Sequence, residues 1–205
     1  MKFFSLDLFG PGVTKNIYAL ALSHRLIRKT GFLFLIVLPG VFFFSGCQKK
    51  GSHECKGLDN DKEFVSSSKG LLPQTLCELQ EARLATEKYR NLSKAIEDGY
   101  ADISVVIPNM GYHYMKSAFV DSTFEVGRPE ILVYNKSHDG SFELIAVEYA
   151  VPISLSPDQA PEGFTGDADV WDHNTGFGLW LLHAWVWQSN PSGVFNATNP
   201  GVHVH

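Results

Sequence analysis

Apolar and polar positions change period several times along this chain. Residues 31–44 are apolar throughout, and a polar stretch without sustained period follows from Gln48 to about Ser68. From Thr75 to Tyr100 the pattern turns helical: Leu79, Ala82, Tyr89, Leu92 and Ile96 recur at three, four or seven residues and fall on one face. Thr75 with Glu78 resembles a capping box at the start of this helix, and Gly99 suits its stop. The period then drops to two. Ile103 to Ile107 is a β-branched run stopped by Pro108-Asn109, and Met110 to Met115 follows it. Alternation there puts Tyr112 and Tyr114 on one face and His113 on the other. Ile131 to Tyr134 and Ser141 to Val151 form a further pair, joined around the hairpin signal His138-Asp139-Gly140.

The most apolar stretch outside the amino terminus is Leu179 to Trp187, interrupted only by His183. It is short, rich in aromatics, and followed by the turn signals Asn190-Pro191-Ser192-Gly193 and Asn199-Pro200-Gly201, so it reads as a strand. Leu179, Leu181, His183, Trp185 and Trp187 then share one face, while Trp180, Leu182, Ala184 and Val186 share the other. Both faces are apolar, which predicts a central strand covered on both sides. Between Ser154 and Asn174 the chain is irregular and carries Asp167, Asp169, Asp172 and His173, as a solvated connection or the rim of a site. Together these elements predict an α+β fold: one long amino-terminal helix packed on a small, mainly antiparallel β-sheet, in a single domain over 73–205.

Three polar residues break apolar faces of the predicted strands: His113, Glu148 and His183. A buried polar group left without a partner costs about 1–3 kcal/mol, so each must be bonded, paired or metal-bound. Two imidazoles and a carboxylate form the ligand set of many open zinc or iron sites, and His173 is a candidate fourth ligand. Such a divalent ion would lower the pKa of a bound water and allow hydrolysis near neutral pH. Without metal, a His and Glu pair can act as general acid and base. Two other readings stay open. Tyr112, Tyr114 and Trp185 could line an aromatic pocket for a small ligand in a module without catalysis. The aromatics could equally all be core in a purely structural protein. No Gly-x-Ser-x-Gly elbow, Gly-rich phosphate loop or dinucleotide fingerprint occurs, which argues against those chemistries.

The amino terminus gives an address. Arg25, Arg28 and Lys29 precede the apolar core, and Ser45 and Gly46 follow it, so residues 1–46 read as a signal peptide. Phe44-Ser45-Gly46-Cys47 resembles the lipobox of bacterial lipoproteins, with Phe44 in place of the usual Leu. That resemblance implies lipidation at Cys47 (palmitate among the acyl chains), a membrane partner reached through the anchor, and residues 47–72 as a flexible tether. It places the domain in the bacterial cell envelope, and Gln48 implies the outer membrane in a Gram-negative cell. Removing the five basic residues and one acid before Cys47 leaves 12 Lys and Arg against 21 Asp and Glu, a net charge of −9. Nucleic acid is an unsuitable partner for such a surface. Cys55 and Cys77 remain, either paired in an oxidising envelope or free. Finally, Met110-Gly111-Tyr112-His113-Tyr114, Val147-Glu148-Tyr149, His183-Ala184-Trp185-Val186-Trp187, Asn190-Pro191 and Asn199-Pro200 resemble the pattern of a family of uncharacterised exported bacterial proteins, over roughly 85–202. The resemblance brings no activity with it, but it falls on the same three polar residues.

Overall fold

The computed structural model describes residues 68–204. The signal segment, Cys47 and most of the tether lie outside the described residues. Helix α1 spans Pro73–Thr86, a 3₁₀ turn covers Glu87–Arg90, and α2 spans Leu92–Glu97. The strands are β1 (Ala101–Ile107), β2 (Gly111–Met115), β3 (Ile131–Lys136), β4 (Phe142–Pro152), β5 (Asp172–Asn174) and β6 (Leu179–Ala184). They form one six-stranded sheet in the order β1-β2-β3-β4-β6-β5, every neighbour antiparallel. The α+β class read from the pattern is therefore present. Among the described residues no helix is long and apolar enough to cross a membrane.

The single long helix is not. Asn91 adopts an extended backbone (φ −91°, ψ 106°) and its side chain accepts the Ser93 N–H at 3.0 Å, so it breaks the helix and caps α2. Asn competes well for backbone donors in this way and favours caps over helix interiors. The break re-phases the face downstream: Leu79, Ala82 and Tyr89 are buried as the spacing requires, but Ala95 takes the inward position and Ile96 is 55% exposed. The expected capping box does not form either. Pro73 opens α1, where its missing N–H is no loss. Thr75 instead donates its hydroxyl to the Thr165 carbonyl, and Glu78 accepts from the Thr165 N–H at 2.7 Å and from its hydroxyl at 2.6 Å. Both residues tie the helix to the loop ahead of β5. Gly99 does end α2, with φ +96°.

The register assigns the two faces of the sheet. Cα partners across a ladder point the same way, and neighbours along a strand point opposite ways. One face carries Tyr112, Tyr114, Leu132, Tyr134, Val147, Tyr149 and Leu182. The helical segment packs on it, and tyrosine hydroxyls tie the sheet to that segment and to the β2–β3 connection. Tyr134 donates to the Tyr89 carbonyl at 2.7 Å, and Tyr149 to the Val126 carbonyl at 2.8 Å. The other face carries His113, Val133, Ile131, Ala146, Glu148 and His183.

Strand β6 lies one place in from the edge, with β5 outside it, and ends at Ala184 rather than running on to Trp187. The cause is a bulge in β4: Ile145 has no partner between the pairs Tyr134–Leu144 and Val133–Ala146. Its carbonyl accepts from Trp187 N–H and Gln188 N–H and turns the chain. The segment after β6 then crosses that end of the sheet to reach the β1–β2 turn, where Asn199 N–H donates to the Asn109 carbonyl at 2.7 Å. Asn190 and Asn199, both fully buried, brace it by donating to the Thr198 and Ser189 carbonyls.

A candidate metal centre

His113, Glu148 and His183 stand together. Glu148 on β4 is the Cα partner of His183 on β6. On its other side it faces Ile131 of β3, whose second neighbour Val133 partners His113 of β2. Four adjacent strands thus place three polar side chains on one face. They are 3%, 3% and 4% exposed, in the order His113, Glu148, His183.

The distances between them are informative. Glu148 Oε1 lies 3.4 Å from His183 Nδ1, and Glu148 Oε2 lies 3.7 Å from His113 Nε2. Each carboxylate oxygen faces a different imidazole. Both distances exceed the hydrogen-bond range of about 2.7–3.2 Å. A tetrahedral ion with ligand bonds of about 2.0–2.1 Å holds its ligand atoms about 3.3–3.4 Å apart, which the Glu148–His183 pair meets at 3.4 Å and the Glu148–His113 pair exceeds at 3.7 Å. One atom from each residue can be chosen so that all three lie within 4.8 Å of one another. Among the described residues this is the one group of histidines, cysteines and acids with such spacing.

The surroundings orient the first imidazole. His113 Nδ1 sits 3.0 Å from the Val105 carbonyl. A carbonyl only accepts, so Nδ1 carries the proton and the Nε2 lone pair is left facing Glu148. Metal-bound histidines are commonly held this way. The carbonyl arrives through an irregularity in β1, where the register slips between Asp102 and Val106. Ser104 takes a left-handed φ of 57°, held by its N–H on Asp102 Oδ1 at 2.7 Å. Gly111, two residues before His113, has φ +116°, and a Cβ there would meet the Tyr134 carbonyl oxygen at 2.5 Å. Only glycine lets β2 approach β3 this closely.

Burial sets the protonation. It pushes the Glu148 carboxyl up to about 8, with the Asp172 charge adding to the effect. It pulls His183 down to about 3, helped by neighbouring His113, and lowers His113 as well. Both imidazoles are therefore neutral and have lone pairs to offer. His183 Nε2 is buried without a hydrogen-bond partner.

Trp185 borders the group, fully buried, its ring 6.0 Å from that of His183 and within 15° of parallel. The other residues singled out from the sequence lie elsewhere. His173 pairs with Trp180 across β5 and β6, so alternation turns it to the face opposite His183; its ring stands 4.4 Å from Trp180. Tyr112 and Tyr114 are on the helix-covered face, packed edge-on against Phe142 at 5.4 and 6.1 Å. They share no pocket with Trp185. Asp172, read from the sequence as one of several loop acids, is the residue that shares the centre's face on β5. Only the two-residue β-period could have separated it from His173. A cleft of about 680 Å³ opens in the loop ahead of β5, lined by Phe164, Asp167, Asp169 and Trp171 among others. Phe164 packs on Tyr149, which puts that cleft on the helix side of the sheet.

The chain matches no protein-family model, no curated protein and no solved structure. The chemistry of the site must carry the reading alone. Its donor set, two neutral nitrogens and one carboxylate, fits a divalent ion of the zinc or ferrous type.

Proposed function

We propose that this protein is an exported, lipid-anchored domain of the bacterial cell envelope that holds one divalent metal ion, zinc or iron, through His113, Glu148 and His183. The observation carrying the metal reading is that one ligand atom from each of the three buried groups lies within 4.8 Å of the others, with the carboxylate beyond hydrogen-bond distance of both imidazoles. The ion supplies the positive charge that a buried carboxylate needs, and it draws β2, β4 and β6 to one point. With the ligands nearly closed to solvent, the centre is suited to stapling strands rather than to a bulky substrate. Cys77 is disulfide-bonded. A disulfide persists in an oxidising compartment, which supports export. Lipidation at Cys47 accounts for the small pair Ser45-Gly46 at the end of the apolar segment.

The test is elemental analysis of the protein purified from its own envelope fraction, beside His113→Ala, Glu148→Gln and His183→Ala. One equivalent of zinc or iron in the natural protein and none in the variants supports the reading. Equal metal content in all four proteins, or none in any, sinks it. Mass spectrometry of the amino-terminal peptide decides separately whether Cys47 carries acyl chains.

A further inference from the structure

His113 faces an irregular stretch of β1. In the β1–β2 ladder the pairs Asp102–Tyr114 and Val106–Tyr112 bracket it, so three residues, Ile103, Ser104 and Val105, stand opposite the single residue His113. Extra residues of this kind re-aim the groups of the strand that carries them. The group re-aimed here is the Val105 carbonyl, which reaches His113 Nδ1 at 3.0 Å. The Gly111 carbonyl also acts on the ring, more weakly.

The excursion passes through Ser104, whose φ of 57° lies in the left-handed region that serine rarely adopts. Ser104 and Asp102 are both exposed, so core packing does not impose that conformation. A local bond holds it: Asp102 Oδ1 accepts the Ser104 N–H at 2.7 Å, the turn an aspartate makes with the backbone two residues on. One exposed acid is thus linked to a buried imidazole by two hydrogen bonds and the short main chain between them.

Resting on the metal reading above, we infer that Asp102 is a positioning residue for the centre: by closing the turn on Ser104 it aims the Val105 carbonyl, which keeps the His113 proton on Nδ1 and presents Nε2 to the ion. An imidazole free to carry its proton on either nitrogen offers Nε2 only part of the time, and in a less fixed ring orientation. Partners outside the ligand set that hold a histidine in this way strengthen metal binding about 10- to 100-fold. Asp102 acts through the main chain and is not itself a ligand.

Zinc titration of the chelator-stripped full-length chain in detergent, against a competing chromophoric chelator, measures the affinity. Heteronuclear NMR of the same metal-free protein, labelled at histidine, reads the His113 tautomer, with His113→Gln assigning the signal. Asp102→Ala is expected to weaken zinc binding about tenfold and to move His113 from the Nδ1–H form to a mixture of both. Asp102→Asn keeps an acceptor oxygen and should retain the natural affinity and the natural tautomer. Asp139→Ala breaks the same kind of turn in the β3–β4 connection, where Asp139 Oδ1 accepts the Ser141 N–H at 2.9 Å, and should change neither. Natural affinity in Asp102→Ala overturns the inference. So does weaker binding with the tautomer unmoved, or a loss matched by Asp102→Asn or Asp139→Ala. The centre stands in each of these cases. Absence of zinc binding by the natural protein overturns the metal reading and the inference with it.

Discussion

Glu130 offers the sharpest energetic prediction. It is almost fully buried just ahead of β3, and its Oε2 accepts the Ala150 N–H at 3.0 Å. Burial pushes its carboxyl from 4.5 up to about 8, against a smaller opposing effect of the Ala150 bond. The folded state therefore holds a proton that the unfolded chain releases. Stability is greatest below about pH 4.5 and is lost as pH rises toward 8. At about 1.36 kcal/mol per pKa unit, the full loss is about 5 kcal/mol, of which about 3 kcal/mol has gone by pH 7. Glu130→Gln keeps an acceptor for Ala150 and cannot ionise. Urea unfolding of the metal-free protein and the variant at pH 5, 7 and 8.5 measures the effect. The variant should be close to the natural protein at pH 5 and more stable by about 3 kcal/mol at pH 7. Taking the difference between the two proteins cancels every other titrating group, Glu148 included. A constant difference across that range would show that Glu130 is ionised in the fold, and would refute the reasoning.

Three further outcomes are expected. Gly111→Ala must place a Cβ against the Tyr134 carbonyl at a positive φ, and should cost about 2–4 kcal/mol in urea unfolding. Free zinc at about a hundred times its dissociation constant should add about 2.7 kcal/mol to the natural protein and nothing to Glu148→Gln, read as a shift in thermal midpoint. Cys77→Ser should cost about 2–4 kcal/mol, and a reductant should lower the midpoint of the natural protein to that of the variant without moving the variant itself.

What could be read from the sequence was what repeats locally. The stretches 103–107, 110–115, 131–134 and 141–151 all became strands, with burial alternating along β1 while β3 and most of β4 are buried on both faces. The three polar residues that interrupt those faces met, because a sheet brings distant strands within a few ångströms. The helix was harder. Its hydrophobic spacing runs through Asn91 without a gap, and only the side-chain capping of Ser93 N–H reveals the break. Thr75 and Glu78 satisfied a local rule but were claimed by Thr165, some ninety residues on. Nothing local could report that. Asn190 and Asn199 read as turn residues, which they are, yet their fully buried amides also brace the segment after β6. Likewise the Val105 carbonyl that orients His113 belongs to a bulge, and a main-chain ligand partner leaves no mark in side-chain patterns.

The centre itself weighs against the blander account, a set of core polar groups bonded to one another. A core His and Glu normally settle at hydrogen-bond distance, since a buried donor or acceptor left open costs about 1–3 kcal/mol. Here Glu148 accepts from neither imidazole at such a distance, and His113 Nδ1 is bonded to the Val105 carbonyl. A core that could close this gap by a shift of half an ångström has not done so. Gly111 and the register shifts in β1 and β4 instead fix the strands that carry the three groups. An ion between Glu148 and the two imidazoles would offset the cost of burying these groups in an apolar face. A metal-loaded crystal should therefore retain the backbone of β2, β4 and β6 unchanged, with the added ion within about 2.2 Å of a nitrogen from each histidine and an oxygen of Glu148. If the strands instead close up and the side chains bond directly, the spacing is slack in the core and the centre is not a metal site.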